Sequence, residues 1–260
     1  MRAGGADAHA ESAGVHERNA RVKLRLASPA PSASKGNGAK KQRAVSNIYV
    51  LAGVNGAGKS SIAGATFRAH GADYFNPDEA ARRVMAANAR LDQTEANGLA
   101  WQQGKRLLER AIAERLDHTF ETTLGGYTLP RMLAEAAAAG IAVHVWYAGL
   151  SSPELHIRRV RSRVQRGGHD IPEEAIRRRY QHSRLNLIEL IPRLAALRLY
   201  DNSAEADPAA GAVPQPVLLL YLDHGRIVAP PDLSGTPDWA RPIVAAALHA
   251  AVRSPKETAR

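Results

Sequence analysis

The 260-residue chain has no cysteine, which excludes disulfides, thiolate nucleophiles and Cys-ligated zinc or iron–sulfur centres. Aromatic residues are scarce at 5%, with three Phe and three Trp, so Ala, Leu, Val and Ile must fill the core. Long apolar runs are missing as well: Val217 to Leu222 spans only six residues, against the roughly 20 that a bilayer demands. The N-terminal stretch MRAGGADAHAESAG lacks the apolar segment of a secretory signal, so a cytoplasmic location and no membrane partner are expected.

A hydrophobic fraction of 45% is ample for one large α/β domain or two small ones. The net charge of +10 is concentrated in two patches. Residues 1–44 carry nine Lys/Arg against three acids, residues 158–184 carry nine Arg against three acids, and the remainder is slightly acidic. The first patch is rich in Ala, Gly, Ser and Lys without a sustained apolar period, and reads as a disordered basic tail. Lys35, Lys40, Lys41 and Arg43 could attach it to nucleic acid or a membrane, or the tail is simply solvated. A domain over 45–253 and a flexible C-terminus over 254–260 complete the expected organisation.

From Ser46 onward, short apolar runs alternate with amphipathic stretches. Strands are expected at Asn47 to Ala52, Asp73 to Phe75, His118 to Thr122, Ile141 to Ala148, Leu197 to Tyr200, Val217 to Leu222 and Arg226 to Val228. Helices are expected over 59–69, 93–116, 129–139, 153–166, 172–188 and 238–252, with a further helix opened by Asn76 as N-cap, Pro77 as first residue and Glu79 at the capping-box position. Such alternation predicts a three-layer α/β sandwich: a mostly parallel central sheet with helices on both faces.

Gly53-Val54-Asn55-Gly56-Ala57-Gly58-Lys59-Ser60 fits the P-loop pattern G-x-x-x-x-G-K-[ST] between an expected strand and helix, followed by Ser61. Glycines let successive backbone N–H groups curl around phosphates, and the positive end of the next helix points at them. Lys59 is suited to the β- and γ-phosphates of ATP and Ser60 to a Mg²⁺ ion. Asp78, in YFNPDEAARR, either accepts a proton from an attacking hydroxyl or merely occupies a helix first turn where the dipole favours acids. Glu121, near the end of a strand, suits a magnesium shell, a hydrogen bond to substrate or a solvated strand end.

Two arginine-rich helices flank the Gly167 to Asp170 turn and form a candidate lid over about 153–188. Arg159, Arg163 and Arg166 share one helix face while Ile157, Val160 and Val164 occupy another. The basic face fits a phosphate-covering lid, an ordinary surface helix or a nucleic-acid contact, though aromatic interleaving is absent apart from Tyr180. His70, His118, His144, His156, His169 and His182 lack metal-ligand spacing and are expected to be structural.

In this order, AGVNGAGKSS, YFNPDEAARR, HTFETTL, RVRSRVQRGGHDIPEEAIRRRY and YDNS resemble the zeta-toxin family of P-loop kinases, in particular its shorter bacterial members. The resemblance covers about 47–203. It implies a nucleoside-monophosphate-kinase-like fold, ATP as phosphate donor, a UDP-N-acetylated amino sugar as hydroxyl acceptor, and an antitoxin that blocks the nucleotide site. Lys59 and Ser60 match the Walker A pair, Asp78 the base, Glu121 and Thr123 the substrate-side E-x-T element, and Arg163 and Arg179 the phosphate-neutralising arginines. The helical insertions expected around a sugar-nucleotide pocket are abbreviated here. From another class, a nucleotide-dependent regulatory or nucleic-acid-binding P-loop ATPase remains the alternative.

Overall fold

Asn47–Ala52 forms β1, a strand paired on both sides and buried over most of its length, as its β-branched and aliphatic residues require. The structure is a computed structural model that describes residues 45–59, 62, 74–205 and 215–253. The basic tail expected over 1–44, most of the helix expected over 59–69 with Ser60 and Ser61, and the C-terminus over 254–260 lie outside the described residues.

The sheet has seven strands in the order β2-β3-β1-β4-β5-β6-β7. Tyr74–Phe75 (β2), His118–Thr122 (β3), β1, Ala142–Gly149 (β4) and Ala196–Asp201 (β5) run parallel. Val217–Asp223 (β6) and Arg226–Ala229 (β7) add antiparallel. Their two-residue loop places His224 at φ 45° and Gly225 at φ 72°, the left-handed pair that matches a tight hairpin to strand twist. The sheet is therefore mostly parallel, as the strand and helix alternation implies.

The helices are Pro77–Ala87 (α1), Gln93–Glu114 (α2), Thr128–Ala138 (α3), Pro153–Gln165 (α4), Glu173–Leu190 (α5) and Arg241–Arg253 (α6). Helix α2 opens with a full capping box between Asp92 and Glu95. Helix α5 starts one residue after the expected Pro172, because that proline holds ψ at 133°, outside the helical range. Helix α6 begins at Arg241, not at the expected residue 238: the chain first makes a turn in which Ala240 and Arg241 donate to the Pro237 carbonyl.

The main core lies between one sheet face and α2, α3, α5 and α6, with Val50, Phe120, Val145, Leu199 and Leu220 from the strands meeting Leu108, Leu133, Leu187 and Ile243. A second cluster joins Val54 of the P-loop to Ile157 and Val160 of α4 and Ile171 and Ile176 around the start of α5. This apolar contact seats the arginine-rich helix pair on the P-loop. All five parallel strands end at the same edge, so the loops after them surround one crevice, where open α/β sheets hold ligands.

Candidate functional site

The loop after β1 adopts the backbone that its glycines make accessible. Gly53, Gly56 and Gly58 have φ of 138°, 82° and 74°, values costly for any residue with a Cβ. At Gly53 a Cβ would lie 2.3 Å from the Ala148 carbonyl oxygen, so the loop can pass β4 only because that position is bare. Asn202, at the end of β5, donates through Nδ2 to the Ala57 carbonyl at 2.9 Å and ties the loop to the sheet. His156 of α4 donates through Nδ1 to the Asn55 carbonyl at 2.9 Å. Burial lowers the His156 pKa to about 4, partly opposed by that bond, so the imidazole is neutral near pH 7.

Lys59 is almost enclosed and donates to the Gly53 carbonyl at 2.8 Å. Its ammonium is also 3.2 Å from Glu121 Oε1 at the end of β3. The other oxygen of Glu121 accepts from the Tyr74 hydroxyl at 2.5 Å and from Asn76 Nδ2 at 3.2 Å. Asn76 is the N-cap of α1, as expected, and its Oδ1 accepts from the backbone N–H groups of Asp78 and Glu79. One chain of contacts thus runs from the P-loop lysine through Glu121 and Asn76 to the backbone of Asp78. The Glu79 carboxylate lies 3.5 Å from Arg83 Nη2, one turn along the same helix.

Asp78 projects from the first turn of α1 toward the arginine-rich pair, with Oδ2 3.7 Å from Arg163 Nη1 and Oδ1 3.9 Å from His169 Nε2. Those partners arrive through the cap of α4: Gly167 donates to Val164 and Gly168 to Arg163, a Schellman pattern with Gly167 at φ 87°. That cap turns the chain back over the crevice. Arg163 donates to the His169 carbonyl at 3.1 Å, and its Nε is buried with no hydrogen-bond partner. Arg159 and Arg166, on the same expected face, bond instead to the Ala204 carbonyl and to Ser162.

Arg179 of α5 donates to the Asn55 side chain at 2.8 Å, which brings it to the P-loop. Burial, then the neighbouring Arg178, draws its pKa below the usual arginine value while Asp78 opposes the shift. Its side chain crosses Gly125, where a Cβ would stand 2.7 Å from Arg179 Cγ. Helix α5 also shapes the loop after β3: Ser183 donates to the Thr123 carbonyl at 2.6 Å, and Asn186 Nδ2 donates to the carbonyls of Leu124 and Gly126.

A cavity of about 400 Å³ opens between these groups, lined by Asn55, Asp78, Glu121, Thr123, His169 and Arg179 on its polar side. Helix α2 and the start of α3 contribute Trp101, Lys105, Tyr127 and Leu129. The structure therefore gathers Lys59, Asp78, Glu121, Thr123, Arg163 and Arg179 around one crevice, while Ser60 and Ser61 lie outside the described residues. His169, expected to be structural, lines the cavity and faces Asp78. The paired glycines before it were its only local signal. Trp101 and Tyr127 carried none: an aromatic residue on an amphipathic helix, as Trp101 is, normally faces the core, and Tyr127 stands just before α3.

Among the described residues no helix is long and apolar enough to cross a membrane. Residues 48–185 match the AAA domain family. An uncharacterised protein of Haemophilus influenzae is 30% identical over 132 residues, covering 49% of this chain and 88% of that protein. Among solved structures, the AvrRxo1-ORF1:-ORF2 complex with ATP aligns at a TM-score of 0.56 and 13% identity, covering 71% of this chain and 60% of its own. The native AvrRxo1-ORF1:-ORF2 complex aligns at 0.55 and 13% identity, covering 81% and 76%. This chain thus spans about three fifths of the length of the ATP-bound relative, and at that identity the likeness shows the α/β P-loop fold.

Proposed function

Given that this chain belongs to the AAA domain family and has the α/β P-loop fold, we propose that it is an ATP-dependent phosphotransferase acting on a hydroxyl of a small molecule. The observation that carries the reading is the placement of Asp78 on the lining of a cavity of about 400 Å³, beside Arg163 and together with Glu121, the partner of the P-loop lysine. A switch or motor ATPase has to position only water; a cavity with its own carboxylate, amide and aromatic lining suits a second substrate.

The P-loop fits a nucleoside triphosphate, because its left-handed glycines let the loop curl closely past the carbonyls of Ala148 and His156 and its lysine is already held inside the loop. ATP would lie on the loop with Lys59 at the β- and γ-phosphates. Ser60 would hold Mg²⁺, which would neutralise charge on the transferring group.

In the transfer, the acceptor oxygen forms a bond to the γ-phosphorus and its proton passes to Asp78. The bond from the γ-phosphorus to the bridging oxygen breaks, and ADP leaves with that electron pair. Arg163 and Arg179 stand on the two sides of the lid turn and would supply positive charge to the phosphoryl oxygens. Arg179 is oriented by Asn55, so a loop that holds phosphates also aims the guanidinium.

The zeta-toxin resemblance supports a UDP-N-acetyl amino sugar as acceptor and a partner that blocks the nucleotide site, and the AvrRxo1 structures, being two-component complexes, support a partner protein. A coupled ADP-release assay with Mg·ATP tests the reading, comparing UDP-N-acetylglucosamine, other sugar nucleotides and simple nucleosides, with Asp78→Ala as control. Acceptor-stimulated turnover that disappears in the variant is expected. Hydrolysis that ignores every acceptor and survives Asp78→Ala would overturn it and favour a nucleotide-dependent regulatory ATPase.

A further inference from the structure

The P-loop cannot fix its own peptide planes. Ala57 donates to the Val54 carbonyl at 3.0 Å, which closes a turn with Gly56 at φ 82° in its third place. That dihedral marks a type II turn, and turning its central Asn55–Gly56 peptide over would give the type I form. Glycine admits both signs of φ almost equally, so the backbone at Gly56, and at Gly58 with φ 74°, expresses little preference of its own.

Side chains from outside the loop make that choice. His156, 1% exposed on α4, donates through Nδ1 to the Asn55 carbonyl at 2.9 Å. Asn202, just past β5, donates through Nδ2 to the Ala57 carbonyl at 2.9 Å. Both donors are themselves braced. The Tyr180 ring stands 5.6 Å from the His156 imidazole at an angle of 67°, and its hydroxyl donates to the Ser151 carbonyl at 3.1 Å. The Asn202 backbone N–H donates to the Gly149 carbonyl at the end of β4.

In a trans peptide the N–H points opposite to the C=O. Anchoring the Asn55 carbonyl on α4 therefore turns the Gly56 N–H away from that helix, and anchoring the Ala57 carbonyl on Asn202 turns the Gly58 N–H away from that amide. Among the described residues neither N–H donates to another group of the chain. Were either peptide to turn over, a carbonyl oxygen would stand in place of the donor and repel an anion.

We propose that His156 and Asn202 are positioning residues that hold the Gly56 and Gly58 N–H groups as a preset nest for the phosphates of ATP. This rests on the phosphotransferase reading and adds to it the side chains that set phosphate affinity. Donors fixed before the anion arrives need no reordering when it binds, so their full attraction appears in the affinity.

The test reads affinity and the two amides separately. Calorimetry of the full chain with ATP should show binding about tenfold weaker in Asn202→Ala and in His156→Leu, the scale of one hydrogen bond to a charged group. His156→Asn, whose amide can still donate to the Asn55 carbonyl, should stay within about threefold of the unsubstituted chain. In proton–nitrogen NMR spectra with labelled glycine, ATP should move the Gly56 and Gly58 amide protons downfield. Asn202→Ala should diminish the Gly58 response and spare Gly56, and His156→Leu should do the reverse, a local pattern that general loosening of the fold does not produce. Asn202 is only half-buried, so its variant carries the test where His156→Leu fails to fold.

ATP affinity within about twofold of the unsubstituted chain in the folded variants would overturn the inference. So would glycine amides that stay in place when ATP binds, a result that leaves the phosphotransferase reading standing. His156→Asn as weak as His156→Leu would assign the effect to packing of the ring and remove His156 from the nest. No binding of ATP by the unsubstituted chain overturns both readings together.

Discussion

Lys59 Nζ lies 3.2 Å from Glu121 Oε1, so the lysine of the P-loop is held by a carboxylate from the neighbouring parallel strand. Both side chains are nearly enclosed, at 9% and 13% exposure. Phosphates entering the loop must therefore compete with Glu121 for the same ammonium. The pair also links the loop to α1, because Glu121 accepts from Asn76, the residue that caps Asp78.

Lys59→Met should leave the Glu121 carboxylate without its cation and cost about 1–3 kcal/mol of stability, the usual penalty for an uncompensated buried group. Urea unfolding of the nucleotide-free protein measures it. Adding Glu121→Gln to the same chain should restore most of the loss, because the amide needs no cation. Two losses that simply add would show that the residues do not interact.

Asp78→Asn preserves the shape of the side chain and the Asn76 cap, which binds the backbone, but removes the proton acceptor. The turnover number should fall by about a hundredfold to ten-thousandfold, while ATP affinity measured by calorimetry stays within about threefold, under 1 kcal/mol. Loss of ATP binding in step with turnover would instead assign Asp78 to the nucleotide.

Arg179→Ala should lower the turnover number by about a thousandfold if its guanidinium meets the transferring phosphoryl group. Lysine at that position should recover only part of it. The ammonium carries the charge but lacks the planar fork that lets arginine hold Asn55 and a phosphate oxygen together. Single-turnover rates of the two variants check the order.

The stability of the fold should fall with acid in a window set by buried imidazoles. Burial depresses His156 to about 4 from its usual 6.5, so the native state keeps it neutral while the unfolded chain takes up a proton. Its contribution is complete above pH 6.5 and is lost as pH falls toward 4, amounting to roughly 3 kcal/mol at most. His144, depressed to about 4 chiefly by burial, acts in the same window. Unfolding free energies at a series of pH values should show a shallower acid slope for His156→Asn, whose amide can still donate to the Asn55 carbonyl.

Most element positions were legible because they follow from local repeats. Strand β1 coincides with its apolar run, Asn76 and Pro77 mark the start of α1, and the glycine pair after Arg166 marks the end of α4. Short-range sterics and capping decide these features, and those depend on neighbours in the chain. Where the boundaries moved, as at Pro172 and Asp238, a proline had set the backbone of a turn in a way that the apolar period does not register.

The candidate site was legible only in part. Glycine spacing identified the P-loop, and the acid in NPDE and the arginines flanking GGHD were visible as candidates. No spacing could reveal that Glu121 holds Lys59, that Asn55 aims Arg179, or that His169 faces Asp78. Each pair is separated by at least 62 residues or by a crossover between strands, and each exists because parallel strands end at one edge of the sheet.

The order of residues alone thus determined where phosphates would be cradled, because a P-loop is a property of a few consecutive backbone dihedrals. The tertiary structure decided what shares that crevice: a carboxylate on the lysine, two arginines at the loop, and open aromatic rings facing the same cavity. Backbone conformation is governed by local sterics, whereas the meeting of distant charges and rings depends on strand order and on which helix face the core leaves uncovered.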